Sequence, residues 1–514
     1  MEDEIELPYK TRSLCPECLK VLDAEVYEEN GKVMIKKVCP EHGEFVDVYW
    51  GDVRLFKKAS RFRHDGLGIW NPITKNDKGC PFSCGLCNLH KSHTALLNIV
   101  LTNRCDLACW YCFFYAKRAG YVYEPTVEQI VEMVRIAKNL KPVGCNAVQL
   151  TGGEPTLRED LIEIIRAIKA EGIDHVQLNT NGIRLALDRD FALKVREAGV
   201  NTVYLSFDGV DEKTNPKNIK EVPAILENCR RAELGVVFVP TVIKTVNDHQ
   251  LGDIIRFAAE NIDVVRGVNI QPVSLVGSMP RKEREKYRIT IPDVIIRIEE
   301  QTDGQISRED FYPVPSVTPF SHFVEAKTGR PQYEFTCHFA CGMATYVFKE
   351  GDRLIPITRF VDVEGLFEFL NEKAEEIKNS KIKSLRFIKG ILDLRKFVDM
   401  DKAPKSFDIS KILFDVLIRH DYTALAEFHV RTLFIGMMHF QDLYNYDIER
   451  VKRCVIHYAT PDGRIIPFCA FNVLPEIYRD RIHEEYGIPV EEWEKKTGKR
   501  LKDEIYRVVR RPKD

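Results

Sequence analysis

The sequence predicts an α/β protein: a partial (βα)6 barrel, with a small metal-binding domain before it and a mostly helical domain after it. Six short apolar segments lie at residues 95–102, 147–151, 175–179, 202–207, 236–242 and 267–271. Amphipathic segments with helical spacing separate them, at 126–140, 159–171, 188–198, 217–234 and 248–261. Such alternation favours a parallel sheet, which right-handed crossovers curl into a barrel. In barrels of this kind, chemistry lies at the carboxyl ends of the strands.

The composition indicates a globular chain of several domains. Its 514 residues are 44% hydrophobic and 30% charged. The net charge of −2 gives no basic excess, so we expect no nucleic-acid partner. The chain starts with acidic residues rather than a secretory signal, and no window reaches the roughly 18 apolar residues that cross a bilayer. We therefore expect a cytoplasmic protein, with peripheral contact to a membrane surface left open.

Fifteen cysteines, most of them in spaced groups, are distributed along the chain. Disulfides are rare in the cytoplasm, so spaced cysteines there indicate metal ligands. The groups suggest four parts. These are a metal-knuckle domain at 1–60, an auxiliary-cluster segment at 61–94, the barrel at 95–280 and a domain with a second auxiliary cluster at 281–514.

The central motif is a loop of three cysteines directly after the first predicted strand. They are Cys105, Cys109 and Cys112. Three thiolates on such a loop can hold three corners of a cubane [4Fe–4S] cluster and leave the fourth iron open for a ligand. A structural zinc or iron site is the alternative, and it needs a fourth protein ligand nearby.

A second motif, Gly-Gly-Glu-Pro, ends the second predicted strand. Its residues are Gly152, Gly153, Glu154 and Pro155. The glycines let the backbone approach a ligand, and the Glu154 carboxylate can accept hydrogen bonds from an ammonium group. Because Tyr111 also lies inside the cysteine loop, residues 95–275 resemble the radical S-adenosylmethionine (SAM) superfamily. The resemblance implies that the reduced cluster splits SAM into methionine and a 5′-deoxyadenosyl radical, which takes a hydrogen atom from carbon.

Polar residues at the ends of the later strands are candidate SAM contacts. They are Asn179, Asn181, Ser206, Asp208 and Gln271. These positions lie at the rim of a parallel barrel that carries chemistry, and their side chains suit ribose hydroxyls and a carboxylate. Taken singly, each is equally well a cap or a turn residue.

A second loop repeats the spacing of the first. Its cysteines are Cys80, Cys84 and Cys87. It precedes the first strand and lacks the aromatic residue, so we expect an auxiliary [4Fe–4S] cluster there rather than the SAM cluster. Cys145 starts the second strand at the same end of the sheet and is the expected fourth ligand. His90 or His93 is the alternative.

The first part of the chain carries two metal knuckles. Their ligands are Cys15, Cys18, Cys39 and His42. Two knuckles of this type bind one metal ion tetrahedrally. The pattern predicts a mononuclear site and leaves iron versus zinc open.

The last group joins two distant pairs of cysteines. They are Cys337, Cys341, Cys454 and Cys469. Four thiolates complete a [4Fe–4S] cluster without an open iron. The alternative is four unrelated core thiols, since buried cysteine behaves as a small apolar residue.

The order of these groups resembles the archaeal tetraether lipid synthase family. That resemblance implies an enzyme that joins the terminal methyl carbons of isoprenoid chains on glycerol diether lipids, with its lipid substrate at the membrane surface. It also implies three [4Fe–4S] clusters, one mononuclear iron and a low-potential electron donor such as ferredoxin or flavodoxin. His42 departs from the all-cysteine rubredoxin pattern.

Two alternative functions remain. The chain also resembles radical SAM C-methyltransferases that act on 7,8-dihydro-6-hydroxymethylpterin in methanopterin biosynthesis. A lipid requires a long apolar tunnel and a pterin a much smaller slot. The apolar residues 433–438 could line a tunnel or form an ordinary core helix. A non-catalytic iron–sulfur electron carrier is the alternative of another class, although it would not need the Gly-Gly-Glu-Pro motif.

Overall fold

The computed structural model describes residues 2–114, 119–404 and 432–511. Two main sheets organise these residues: a four-stranded sheet at the amino-terminal side and a large mixed sheet that contains the barrel. No helix within the described ranges is long and apolar enough to cross a membrane.

Four antiparallel strands pair in chain order in the amino-terminal sheet. They are β1 (Tyr9–Leu14), β2 (Val21–Glu29), β3 (Lys32–Cys39) and β4 (Gly43–Trp50). Alternate side chains of β2 and β3 are buried, as in a sheet with one face in the core. Helix α1 (Val53–Ser60) follows, and the Asp52 carboxylate caps it by accepting from the Arg54 and Leu55 N–H groups.

Six parallel strands form the barrel and pair in chain order. They are β5 (Leu96–Thr102), β8 (Ala147–Gly152), β9 (His175–Thr180), β10 (Thr202–Ser206), β11 (Gly235–Val239) and β13 (Val265–Pro272). The predicted α/β fold class is confirmed. The fifth predicted strand, 236–242, breaks at Pro240 into β11 and β12 (Thr241–Val242), because proline has no N–H to donate to the ladder.

Helices separate the barrel strands as the sequence predicts. They are α2 (Val127–Lys138), α3 (Leu161–Ala170), α4 (Ile183–Leu187), α5 (Phe191–Ala198), α6 (Val222–Arg231) and α7 (Leu251–Glu260). Each buries a stripe of apolar side chains, such as Ile130, Met133 and Val134 on α2. A capping box between Thr126 and Gln129 fixes where α2 begins.

Strands from beyond residue 280 extend the barrel sheet at both edges. At one edge, β17 (Thr432–Met438) pairs in parallel with β13, and β15 (Gly342–Glu350) pairs antiparallel with β17. At the other edge, β18 (Ile456–Ala459) pairs in parallel with β5, and β19 (Ile465–Pro467) pairs antiparallel with β18. The suggestion that 433–438 is a core helix is therefore wrong, because a short run that is apolar on both faces fits a central strand equally well.

The remaining elements are short strands and helices, most of them after residue 280. The strands are β6 (Leu107–Cys109), β7 (Tyr121–Val122), β14 (Tyr312–Pro313), β16 (Arg353–Pro356), β20 (Ile488–Pro489) and β21 (Arg507–Val509). The helices are α8 (Arg284–Tyr287), α9 (Ile291–Gln301), α10 (Thr318–Thr328), α11 (Val363–Lys378), α12 (Lys383–Asp393), α13 (Ile448–Lys452), α14 (Phe468–Val473), α15 (Arg479–Glu485) and α16 (Val490–Thr497). Part of the region predicted to be helical, residues 405–431, lies outside the described residues.

Candidate active site

The three-cysteine loop that follows β5 lies at the carboxyl ends of the barrel strands. Cys105, Cys109 and Cys112 line one cleft there, together with the end of β8. Within the loop, β6 pairs in parallel with β21, and the Trp110 N–H donates to the Val509 carbonyl at 3.1 Å. The carboxyl-terminal strand therefore holds the loop, a contact between distant positions that the sequence did not predict.

Burial dominates the acidity of two of these thiols. It raises the pKa of Cys109 to about 12 and the pKa of Cys105 well above the usual range of a thiol. Thiols in this setting keep their protons until a metal displaces them, because only the thiolate is a metal ligand. A buried loop with three convergent thiols thus fits a cluster whose iron provides the compensating charge.

The two glycines of the Gly-Gly-Glu-Pro motif allow the end of β8 to lie directly against the cysteine loop. Gly152 has φ 138°, and a Cβ atom there would lie 2.2 Å from the Thr102 carbonyl oxygen. A Cβ atom on Gly153 would lie 2.1 Å from the Arg104 carbonyl oxygen. Both positions therefore require glycine, because any side chain would separate the strand end from the loop.

Glu154 is buried and accepts hydrogen bonds from several neighbours. Its Oε1 accepts from the hydroxyls of Thr156 and Thr180, at 2.7 and 2.6 Å, and its Oε2 accepts from the Asn181 N–H at 2.8 Å. Burial and the nearby Asp106 raise the pKa of the carboxyl. Oε2 accepts only this one hydrogen bond from the described residues, and a carboxylate oxygen has room for a second.

A buried ion pair that the sequence did not predict lies near the Gly-Gly-Glu-Pro motif. The Lys217 ammonium is 2.7 Å from the Asp208 carboxylate and also donates to the Ser206 hydroxyl. The Tyr111 hydroxyl donates to the same carboxylate, and the Thr241 N–H donates to it at 3.0 Å. This network fixes Tyr111, and with it the cysteine loop, beside the end of β10. A single lysine in a loop carries no local pattern that could have identified it.

The three predicted cluster ligands and most of the predicted SAM contacts line the cleft. The ligands are Cys105, Cys109 and Cys112, and the SAM contacts are Tyr111, Gly152, Gly153, Glu154, Asn179, Asn181, Ser206 and Gln271. Two others are buried close to it: Asp208 in the ion pair, and Pro155, the last residue of the motif, which begins a 3-10 turn. The Asn181 amide donates to Asp106 at 2.6 Å, so it also braces the loop.

The opposite wall of the cleft is built from aromatic and amide side chains. Phe440 and Gln441 follow β17, and Phe468 and Asn472 lie on α14. The rings of Phe440 and Phe468 stack, with centroids 3.7 Å apart and planes 19° from parallel. The SAM motifs and this aromatic wall thus line one common space.

The amino-terminal knuckles bring their four predicted ligands close together. The ligand atoms of Cys15, Cys18, Cys39 and His42 all lie within 4.8 Å of one another. The His42 Nδ1 is 3.7 Å from the Cys15 sulfur and 3.5 Å from the Cys39 sulfur. Thiols and an imidazole this close fit one metal ion rather than a cluster.

The second three-cysteine loop packs elsewhere, against Tyr446 and Tyr478 rather than in the cleft. Cys145 lies just before β8, in the same buried apolar cluster as Leu86 of this loop, and its thiol donates to the Ala147 carbonyl at 3.3 Å. Cys145 as the fourth ligand stays a prediction.

The two alternative ligands use their rings in other contacts. The His90 N–H donates to the Cys87 carbonyl at 3.1 Å, so His90 adjoins the Cys80 loop. Its ring lies 2.8 Å from the Cys454 carbonyl oxygen and 3.1 Å from the His457 ring nitrogen. The His93 ring accepts from the Glu334 N–H at 2.8 Å.

The last cysteine group comes together from distant parts of the chain. Its members are Cys337, Cys341, Cys454 and Cys469. Burial raises the pKa of Cys337 and Cys454, and the other thiols of the group add to the effect in both cases. Cys469 also lines the cleft, so this group borders the same space as the Cys105 loop.

Comparison with known proteins gives two family matches. Residues 99–258 match the radical SAM superfamily, and residues 7–51 match the HMPTM N-terminal zinc ribbon domain. The second match covers the four residues of the compact knuckle site.

One curated relative matches along nearly the whole chain. It is the 7,8-dihydro-6-hydroxymethylpterin dimethyltransferase of Methanocaldococcus jannaschii, 50% identical over 498 residues, which are 95% of this chain and 97% of the relative. A protein of Pyrococcus horikoshii named "Probable GTP 3',8-cyclase" is 37% identical over 32% of this chain and 52% of its own length. A solved structure of methylornithine synthase is 20% identical, with a TM-score of 0.29 over 35% of this chain and 53% of that one. That last likeness is too low to support a conclusion.

Proposed function

The chain belongs to the radical SAM superfamily and to the family of the M. jannaschii relative, and we propose that it transfers methyl groups to 7,8-dihydro-6-hydroxymethylpterin. The observation that carries the proposal is the 50% identity to that relative, which extends over 95% of this chain rather than over the barrel alone. A cleft with the SAM motifs on one wall and stacked aromatic rings on the other supports it.

The prediction of tetraether lipid synthesis is wrong. A membrane lipid substrate was implied by that prediction alone. The relative that matches nearly the whole chain carries the name of a pterin dimethyltransferase. The order of the cysteine groups determines where metals bind and does not specify the substrate, so it could not separate the two functions. The apolar residues 433–438 are strand β17, and its Leu433 and Ile435 are buried in the core.

The cofactors of a radical SAM enzyme are a [4Fe–4S] cluster and SAM, and the cluster would be held by Cys105, Cys109 and Cys112. When reduced, it supplies the one-electron chemistry that splits SAM. The protein binds and orients SAM, with Oε2 of Glu154 available to the ammonium group of SAM. Asn179, Ser206 and Gln271 lie in the same cleft for the ribose and the carboxylate. A low-potential donor such as ferredoxin or flavodoxin would supply the electron.

We further propose two auxiliary [4Fe–4S] clusters and one structural zinc. One cluster would be held at the Cys80 loop, and the other by the four thiols around Cys341. The zinc would stabilise the amino-terminal sheet. An iron–sulfur carrier without catalysis does not explain this arrangement, because it would have no use for a Gly-Gly-Glu-Pro motif that faces the Cys105 loop.

The aromatic wall supports a planar substrate. A pterin presents two flat faces and a hydrogen-bonding edge, so it can stack against Phe440 or Phe468 while its edge meets amide groups. Gln441 and Asn472 lie at that wall and are both almost fully buried. Amides can both donate and accept, as the edge of a pterin requires.

Replacing Phe468 tests the substrate wall. In Phe468→Leu the apolar volume stays similar and the flat ring is lost. We expect the KM for the pterin to rise roughly tenfold, as loss of an aromatic stacking contact of about 1 kcal/mol or more predicts. Steady-state kinetics with SAM saturating would measure it, and the affinity for SAM should stay unchanged.

A matched control lies one turn along the same helix. Phe471 is buried on α14 and stacks on Tyr458 at 4.2 Å, but it does not line the cleft. Phe471→Leu should lower stability without a selective rise in the KM for the pterin. Equal effects of the two variants on that KM would argue against a pterin at this wall.

Glu154 gives a second test, at the SAM wall. Because a SAM ammonium needs the carboxylate, Glu154→Gln should weaken SAM binding by about tenfold or more, measured by calorimetry. Since burial and Asp106 raise the pKa of Glu154, wild-type affinity should also fall on acidification at a pH above the ordinary carboxyl range. The Gln variant should lose that pH dependence.

The control for Glu154 is a carboxylate that is remote from the cleft. Glu299 pairs with Arg308 at 2.6 Å on the surface of α9. Glu299→Gln should keep both the SAM affinity and its pH dependence. If Glu154→Gln bound SAM as tightly as the wild type at every pH, Glu154 would not contact the ammonium.

A further inference from the structure

Arg450, on α13, is a buried cation beside the last cysteine group. Only 2% of its surface is exposed. Its Nε donates to the Cys341 sulfur at 3.4 Å, and its Nη2 donates to the His439 carbonyl at 2.7 Å. Its Nη1 is buried and has no hydrogen-bond partner among the described residues. The guanidinium is thus fixed by two contacts and has a donor to spare.

No carboxylate forms an ion pair with Arg450 in the part of the chain that the structure describes. The nearby Asp447 accepts instead from the Thr11 and Tyr49 hydroxyls, both at 2.7 Å. Burial acts to lower the pKa of Arg450, and the thiols of Cys341, 3.4 Å from its Nε, and Cys469 are among the groups that raise it. A buried charge without a counter-charge costs several kcal/mol. The four sulfurs of the last cysteine group balance the Arg450 charge only when they are thiolates, as they are on a metal cluster.

The same cysteine group borders the substrate side of the cleft. Cys469 lies on α14 next to Phe468 and lines the cleft, and the Gln441 N–H of the opposite segment approaches its sulfur at 3.5 Å. The residues that line the cleft include none from the Cys80 loop. Of the two proposed auxiliary clusters, the one at Cys469 therefore lies nearer to the substrate.

We infer that Arg450 is a positioning residue that raises the reduction potential of the iron–sulfur cluster held by Cys337, Cys341, Cys454 and Cys469, the auxiliary cluster that faces the substrate. A positive charge and an N–H to sulfur hydrogen bond stabilise the extra electron of the reduced cluster. The inference rests on one part of the proposed function, namely that these four thiols hold a cluster. It does not depend on which substrate occupies the cleft.

The test is a redox titration of the reconstituted holoenzyme, followed by electron paramagnetic resonance. In Arg450→Gln we expect the midpoint potential of one cluster to move to a more negative value while the other midpoints stay as in the wild type. Arg450→Lys keeps the charge and should restore part of the shift. Cys341→Ala identifies the signal that belongs to this cluster, because that signal alone should be lost.

The control is an equally buried arginine that contacts no thiol. Arg158 donates to Asp160 and to the Leu101 carbonyl. Arg158→Gln should leave all midpoints unchanged. If Cys341→Ala removes a cluster signal but Arg450→Gln and Arg450→Lys keep the wild-type midpoints, the role of Arg450 is refuted. If Cys341→Ala removes no iron and no signal, the proposed cluster itself is refuted, and methyl transfer to the pterin is judged separately.

Discussion

Cys105→Ala should abolish the cleavage of SAM. Formation of 5′-deoxyadenosine should fall by roughly a thousandfold or more, as for the loss of an essential catalytic group. The reason is that the open-iron cluster needs all three thiolates of the loop. Among the residues that the structure describes, Cys469 is the one cysteine outside this loop that lines the cleft, and it lies on the opposite wall, where its sulfur accepts from the Gln441 N–H. Anaerobic reconstitution, followed by chromatography of the products with dithionite as reductant, measures the effect.

The control comes from the chain itself, because the Cys80 loop has the same spacing. Cys84 is buried against Tyr478, whose hydroxyl accepts from the Cys84 N–H at 3.1 Å, and it lies away from the cleft. Cys84→Ala should therefore keep the formation of 5′-deoxyadenosine while it loses one auxiliary cluster. The opposite pattern would assign SAM to the earlier loop and refute the site described above.

Cys39→Ser should have the largest effect on stability. Structural zinc sites contribute on the order of 10 kcal/mol of binding free energy, and most of it is folding free energy. Loss of the metal should remove one equivalent of zinc and unfold the amino-terminal sheet. Metal analysis and limited proteolysis of residues 1–60 would measure both effects.

Loss of this metal should also change the cleft, because the amino-terminal sheet supports the segment that carries Phe440 and Gln441. The buried Lys37 ammonium donates to the Leu443 carbonyl at 2.6 Å, and the Ser13 hydroxyl donates to the Tyr446 carbonyl at 2.5 Å. We therefore expect Cys39→Ser to impair methyl transfer more than the cleavage of SAM.

The control for this variant is Cys229→Ser. Cys229 is buried on α6 and lies outside all four cysteine groups. The variant should retain the zinc and an intact sheet. A Cys39→Ser protein that kept full metal content, or one whose sheet resisted proteolysis as in the wild type, would contradict a structural zinc at this site.

The barrel could be predicted from the sequence because its strands and helices each carry a local signal. Parallel strands buried on both faces are continuous apolar runs, and the helices between them are amphipathic. The cysteine loops could be predicted for the same reason, since their ligands are close in sequence. Pro240 shows the limit: it divides one predicted strand into two.

Contacts between distant segments could not be predicted in this way. Lys217 and Arg450 are single charged residues whose roles depend on neighbours far away in the chain. The pairing of β21 with the cysteine loop is of the same kind. For Cys145, the position before a strand indicates the end of the sheet and not the direction of the side chain, so its role as a ligand stays a prediction. The substrate was misassigned because motifs for metals do not describe the wall of a cleft.

Methyl transfer itself is tested most directly by incubating the reconstituted enzyme with 7,8-dihydro-6-hydroxymethylpterin, SAM and dithionite under anaerobic conditions. Mass spectrometry of the pterin then reads the result. We expect a pterin that has gained one or two methyl groups, formed together with 5′-deoxyadenosine and absent in Cys105→Ala. An unchanged pterin, in a reaction that still forms 5′-deoxyadenosine, would contradict the proposed function.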